Sequence, residues 1–172
     1  MKRKLGILQK LHHLTSSERG GALAELAIVV PFLAVMLAGV SEFGRFFQNY
    51  TTLAKATRSA SRYASYHALN ATELTRAQNL VVCGKLTCAS GEELVKGFST
   101  TNHVCIETTG APPTSVTVRI PRTNNCNPTA GSNAATPFAY QPIFNIGALL
   151  HDNAFTIALP ISPSTTMFYM AN

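Results

Sequence analysis

Charge is what this sequence has least of. Asp, Glu, Lys and Arg make up 13% of its 172 residues, against about a quarter in ordinary soluble domains. There is no Trp, and 8 acidic residues stand against 14 Lys and Arg. A chain so short of charge either gathers apolar surface in one place or sits in a crowded assembly. The net charge of +6 does not point to nucleic acid, because binding there needs a basic face. Ahead of Gly21, Lys2, Arg3, Lys4, Lys10 and Arg19 face Glu18 alone, a balance of +4; the other nine basic and seven acidic residues leave only +2.

Enzyme signatures are missing too. The chain has no Gly-x-Ser-x-Gly, no His-Glu-x-x-His and no phosphate-binding loop. His151-Asp152 has no nucleophile motif around it, and His12 and His13 belong to the basic N-terminal segment. His67, His103 and His151 read as surface or packed residues. No catalytic residue, cofactor, metal or small-molecule substrate is expected, and no nucleic-acid partner.

What is present begins at residues 26–40, LAIVVPFLAVMLAGV, which carry no charge. With residues 21–24 and 41–44 the stretch nears the roughly 20 residues that cross a bilayer. A cleaved secretory signal would have a shorter basic region and a small-x-small exit site, and Ala38-Gly39-Val40 is a weak one. A buried core helix would leave the polybasic segment unexplained. A retained signal-anchor fits best, and the positive-inside rule puts residues 1–20 in the cytoplasm and the chain after residue 41 outside. Glu25 interrupts the run near its start. At the headgroup edge it would cost little; deeper, a carboxylate costs roughly 2.5–3.5 kcal/mol on insertion scales unless it is paired. A cut between Gly20 and Gly21 would create an α-amine four residues before Glu25, so that Glu25 of one subunit could face the ammonium of another. Pro31 removes a backbone donor within the run, which predicts a kink or a short melted segment.

The stretch RGGALAELAIVVPFLAVMLAGVSEFGRFFQNYTTLAKATRSASRYAS resembles the N-terminal segment of the TadE-like family, minor pilins or pseudopilins of the tight-adherence (Tad/Flp) pilus. Arg19-Gly20, Glu25, Pro31 and Arg62-Tyr63-Ala64 carry the likeness, which covers about 50 residues. The resemblance implies a substrate of a prepilin peptidase, cut after Gly20, and a subunit that assembles through its N-terminal helix with other pilin or pseudopilin subunits. Its place would be the bacterial inner membrane, with the head periplasmic or extracellular. The alternative is an uncleaved single-pass protein whose external head binds a partner.

The rest reads as an α+β head on a stalk. Residues 1–20 form the leader, 21–44 the transmembrane segment, 45–69 the stalk helix and 70–172 the head. Phe43, Phe46, Phe47, Tyr50, Leu53, Ala54, Thr57, Ala60, Tyr63 and Ala64 recur at helical spacing as a one-sided stripe; from Leu53 onward it is the face on which the head packs, while Phe43, Phe46, Phe47 and Tyr50 read as interfacial anchors or subunit contacts. Lys55, Arg58 and Arg62 fall on a solvated face. Asn70 followed by Glu73 has the form of a helix cap, predicting a second helix over 71–82 that ends by Gly84. Residues 102–108 and 115–120 alternate and are β-branched, a hairpin around Gly110-Ala111-Pro112-Pro113. Residues 123–137 read as an exposed loop, with short strands expected within 137–146 and at 155–160. An antiparallel sheet packed on the stalk helix completes the head.

Cys83, Cys88, Cys105 and Cys126 all follow the membrane segment. Outside the cytoplasm an even count in a small head points to two disulfides. Three pairings are open; Cys83–Cys88 with Cys105–Cys126 is preferred. The rival is a metal site of Cys83, Cys88, His103 and Cys105.

Overall fold

The computed structural model describes residues 18–99, 103–123, 126–127, 136–143 and 158–170. The fold is α+β. Two helices come first, α1 (Glu18–Tyr66) and α2 (Ala71–Cys83), then five strands: β1 (Cys105–Thr109), β2 (Ser115–Arg119), β3 (Ala139–Tyr140), β4 (Leu159–Pro160) and β5 (Ser164–Phe168). The chain divides into two compact units, Met1–Phe43 and Gly44–Asn172.

In the first unit α1 runs through Pro31 without interruption. Proline withdraws one donor, but the bonds before and after it can still form. The residues around Pro31 therefore stay helical, and no short melted segment is present.

In the second unit the same helix packs one stripe into the head. Leu53, Ala56, Thr57, Ala60, Ser61, Ala64 and Ser65 are buried, the three- and four-residue spacing of a single helix face. Most are small, so the helix backbone lies close to its neighbours. The buried hydroxyls are satisfied locally: Thr57 Oγ1 donates to the Ala54 carbonyl at 3.0 Å and Ser61 Oγ to that of Thr57 at 2.7 Å. From Leu53 onward the stripe packs as the sequence suggests. Phe43, Phe47 and Tyr50 are exposed, whereas Ala56, Ser61 and Ser65 join the core. Phe46 packs edge-to-face on Tyr140, with ring centroids 5.6 Å apart.

α1 ends at Tyr66 rather than at Leu69. Its last carbonyls, which have no partner inside the helix, are met by the end of the chain. Met170 N–H donates to Ser65 O at 2.8 Å, and Tyr169 Oη to His67 O at 3.3 Å. α2 is capped as the sequence predicts: Asn70, with extended backbone, accepts from Glu73 N–H at 2.9 Å. Gly84 closes it in the left-handed region at φ 69°, donating its N–H to Leu80 O. Leu74, Ala77, Gln78, Val81, Val82 and Cys83 form the buried face of α2.

The larger sheet has the order β1-β2-β5, antiparallel throughout. The β1–β2 hairpin turns through Gly110 at φ 91°, where a Cβ would lie 2.9 Å from the Pro112 carbonyl oxygen; a glycine is needed there. Ile106 pairs with Val118 in register, and both sit in the core with Val104, Val116 and Ile120. Phe98, Leu53, Leu74 and Val81 complete that core. β3 and β4 pair as a separate two-stranded sheet, so the strands expected within 137–146 and at 155–160 appear as two-residue pieces. Residues 144–157 lie outside the described residues.

Candidate functional site

The first candidate is the apolar length of α1. Its 18-residue apolar window has no buried share, and the helix is long and apolar enough to cross a membrane. Ile28, Val40 and Leu37 are 75%, 72% and 70% exposed, and Leu23, Phe32 and Phe43 are similarly bare. Ile28, Phe32, Leu33 and Leu37 cover different faces, so the helix is apolar all round. A helix of that kind needs an apolar environment on every side, from lipid or from neighbouring helices.

Gly20 and Gly21 lie in the first turn of this helix, and nothing lies within 4 Å of where either Cβ would be. Glu25 follows Gly21 by four residues, so the two share one helix face. Glu25 is exposed and has no ion-pair partner among the described residues. A helix with one bare carboxylate in an apolar run thus offers a single charged group to whatever surrounds it.

In the head, polar contacts tie elements together. Tyr63 of α1 donates its hydroxyl to Glu73 of α2, and Arg76 bridges the same carboxylate at 2.8 Å. Burial pushes the Tyr63 phenol up, and the bond to Glu73 adds to the rise. Glu73 therefore spends its side chain on α1 rather than reaching back to Asn70. His67 stacks on Tyr63 with centroids 4.0 Å apart. On the outer face of the hairpin, Arg119 grips Glu107 with two bonds of 2.7 and 3.0 Å, and Asn127 N–H adds a third at 2.9 Å.

The cysteines pair as Cys83–Cys88 and Cys105–Cys126, with Cα atoms 5.8 and 5.9 Å apart, within the usual span of a disulfide. The rival metal set is not assembled among the described residues. Its cysteines are divided between two bonds, and His103 packs against Phe98 and Phe138. Cys105, Glu107 and Cys126 do cluster. Their two thiols are consumed by the disulfide and the carboxylate is held by Arg119, which leaves no thiolate for a metal. His12, His13 and His151-Asp152 lie outside the described residues.

Two features escaped sequence reasoning. β5 sits in a closing stretch of mixed character, STTMF, too short to stand out by alternation. The Glu107–Arg119 clamp depends on a strand register that sets Glu107 opposite Thr117 and Arg119 opposite Cys105, so that the two charges meet on the diagonal, although opposite charges on two strands of one hairpin are a usable signal.

No curated protein and no solved structure is significantly similar to the chain. Residues 20–62 match the family model described as TadE-like protein. The match takes in Gly20, Gly21, Glu25 and Pro31, the whole apolar run, and the stalk as far as Arg62. In its N-terminal segment, then, this chain is similar to TadE-like proteins.

Proposed function

We propose that the protein is a minor pilin or assembly subunit of the tight-adherence pilus, cut by a prepilin peptidase after Gly20 and assembled through α1. The observation that carries this reading is a helix with an all-round apolar run, in a segment that matches the family, with the Glu25 carboxylate at the start of that run, four residues beyond Gly21. The basic residues before Gly20 hold the N-terminus in the cytoplasm, and the head with its two disulfides lies outside. In the assembled state Glu25 meets the α-ammonium of a neighbouring Gly21, which offsets the cost of holding each charge away from water. Pro31 leaves one carbonyl free for a neighbouring helix and eases a bend there.

The experiment is the N-terminal sequence of protein recovered from membranes of cells with an active prepilin peptidase. The expected first residue is Gly21, and Gly20→Ala or a bulkier change blocks cutting. An intact leader in the wild-type protein would overturn the pilin reading and leave a single-pass anchor. Glu25→Gln separates processing from assembly. The variant is expected to be cut and inserted normally while its recovery with pilin partners falls; recovery at wild-type yield would reduce Glu25 to a residue at the membrane edge.

A further inference from the structure

β5 is the last strand of the larger sheet; among the described residues no strand lies on its outer side, and α1 reaches that side only past its end, where Ser65 O accepts from Met170 N–H. Two bonds fix which of its groups face outward. Tyr169 N–H donates to Thr114 O at 2.9 Å, and Ile120 N–H to Pro163 O at 3.0 Å. Between those points the register sets Val116 against Met167, Thr117 against Thr166 and Val118 against Thr165. Antiparallel pairs alternate between bonded and non-bonded positions. Thr165 and Met167 therefore spend their N–H and C=O on β2, and Ser164, Thr166 and Phe168 point theirs away from it. Among the described residues no strand pairs with that edge.

Sheet margins are usually blunted by charge, proline or a covering segment. β1, at the opposite margin, has such protection: it carries Glu107, its Cys105 is bonded to Cys126, and Asn127 donates onto the Glu107 carboxylate. β5 reads Ser-Thr-Thr-Met-Phe, with neither charge nor proline. A groove of about 320 Å³ runs beside it, lined by Arg62, Ser65 and Tyr66 of α1 and by Thr166, Met167, Phe168 and Met170. Phe168, Tyr66 and Met170 are 78%, 63% and 62% exposed. Arg62 is exposed at the rim and has no ion-pair partner among the described residues.

We infer that the β5 edge is a docking site for an extended strand of another protein, one that carries an acidic side chain. Each part of the groove specifies part of that occupant. Apart from water, the outward N–H and C=O groups of three alternate residues are matched together by another main chain in extended form, the mode of strand addition. Tyr66, Phe168 and Met170 take apolar side chains from it, and Arg62 takes a carboxylate. A second copy of β5 fits less well. Paired edge to edge about Thr166, two copies would bring no carboxylate to either Arg62, since β5 has none. The site belongs wholly to the second unit.

Amide hydrogen exchange on the full chain in detergent micelles tests this. The probe is a synthetic peptide of alternating Thr and Val with one central Glu, compared with the same peptide carrying Lys. The Glu peptide is expected to slow exchange at Thr166 and Phe168 by about tenfold or more and to leave Thr165 and Met167, already bonded to β2, unchanged. The Lys peptide should bind about fivefold more weakly, the worth of a modest exposed ion pair, and Arg62→Glu should invert that preference. Thr166→Pro removes an outward N–H without breaking a bond to β2, so its core amides should stay protected while the slowing at Phe168 is lost. If that variant fails to fold, the Arg62→Glu inversion decides alone. Unchanged exchange at millimolar peptide, or equal binding of the two peptides, overturns the inference. Edge amides already protected without peptide overturn it as well: protection that grows with protein concentration would mean a second copy, and constant protection an edge covered by the chain itself.

Discussion

At Glu107 the two strands of the hairpin are joined by charge. Arg119 approaches it with two parallel bonds, the geometry in which guanidinium and carboxylate interact most strongly, and Asn127 N–H supports the same oxygen. The Arg119 bond, aided by Asn127 and opposed by partial burial, holds the Glu107 carboxyl below its ordinary 4.5. A carboxylate with a depressed folded-state pKa adds stability above its unfolded value, and that contribution is lost as pH falls through the folded one. The head should therefore melt at a steady temperature from neutral pH down to about 5 and lose stability below 4.5. Glu107→Gln should lower the neutral-pH melting temperature and flatten the acid limb, so that the two proteins converge once pH has fallen through the folded-state value. Because the pair is still about one quarter exposed, the difference is modest. Thermal melts across pH check it, and parallel curves for the two proteins would show that other acids govern the acid limb.

Among the elements, α2 states its own limits most plainly in sequence. Asn70 stops the chain in an extended conformation and accepts the Glu73 amide, and Gly84 takes the left-handed turn at the other end. Asn70→Ala should destabilise the head by about 1 kcal/mol, and Asn70→Asp or Asn70→Ser should cost little. Comparison of denaturant midpoints among the three variants tests the cap. Equal loss in all three would place the effect elsewhere, for example in the Tyr63–Glu73 contact. α1 is a single element with two environments. Its first part is apolar on all faces; its second buries only a seam of Leu, Ala, Ser and Thr. That seam was partly legible, because Leu53, Thr57, Ala60 and Ala64 recur at helical spacing. Ala56, Ser61 and Ser65 were not, because small polar residues give no hydropathy signal, and it is close approach of backbone that buries them. The aromatic part of the stripe reads differently, as a membrane-interface or subunit-contact stretch rather than as head packing. Phe43, Phe47 and Tyr50 are apolar without being covered by the head, as residues near a membrane boundary can be.

For the whole molecule the disulfides set the scale. Cys105–Cys126 spans 21 residues and Cys83–Cys88 only 5. In the chain-entropy account the longer loop stabilises by about 3 kcal/mol and the shorter by about 2. Replacing Cys105 and Cys126 together by Ser should therefore lower the melting temperature more than replacing Cys83 and Cys88. Membrane association should be kept in both cases, since the apolar helix is untouched. The reverse order would show that the Cys83–Cys88 clip holds the end of α2 against the core. Flotation with membranes, measured beside the melts, separates loss of the head from loss of the anchor.

The sequence by itself determined the features that rest on local chemistry. The apolar run, the Glu25 carboxylate at its start, the glycine pair before it, the caps of α2 and the glycine turn of the hairpin each follow from a few neighbouring residues. Tertiary structure alone decided whatever depends on residues far apart in the chain. It set the β1-β2-β5 order, closed the end of α1 with Met170 and Tyr169, and brought Arg119 onto Glu107. Among the described residues it also left the β5 edge without a paired strand beside Arg62. Period and propensity fix how a segment folds, but which strand stands at the margin of a sheet is a matter of packing between segments, and five residues of mixed polarity carry no record of it.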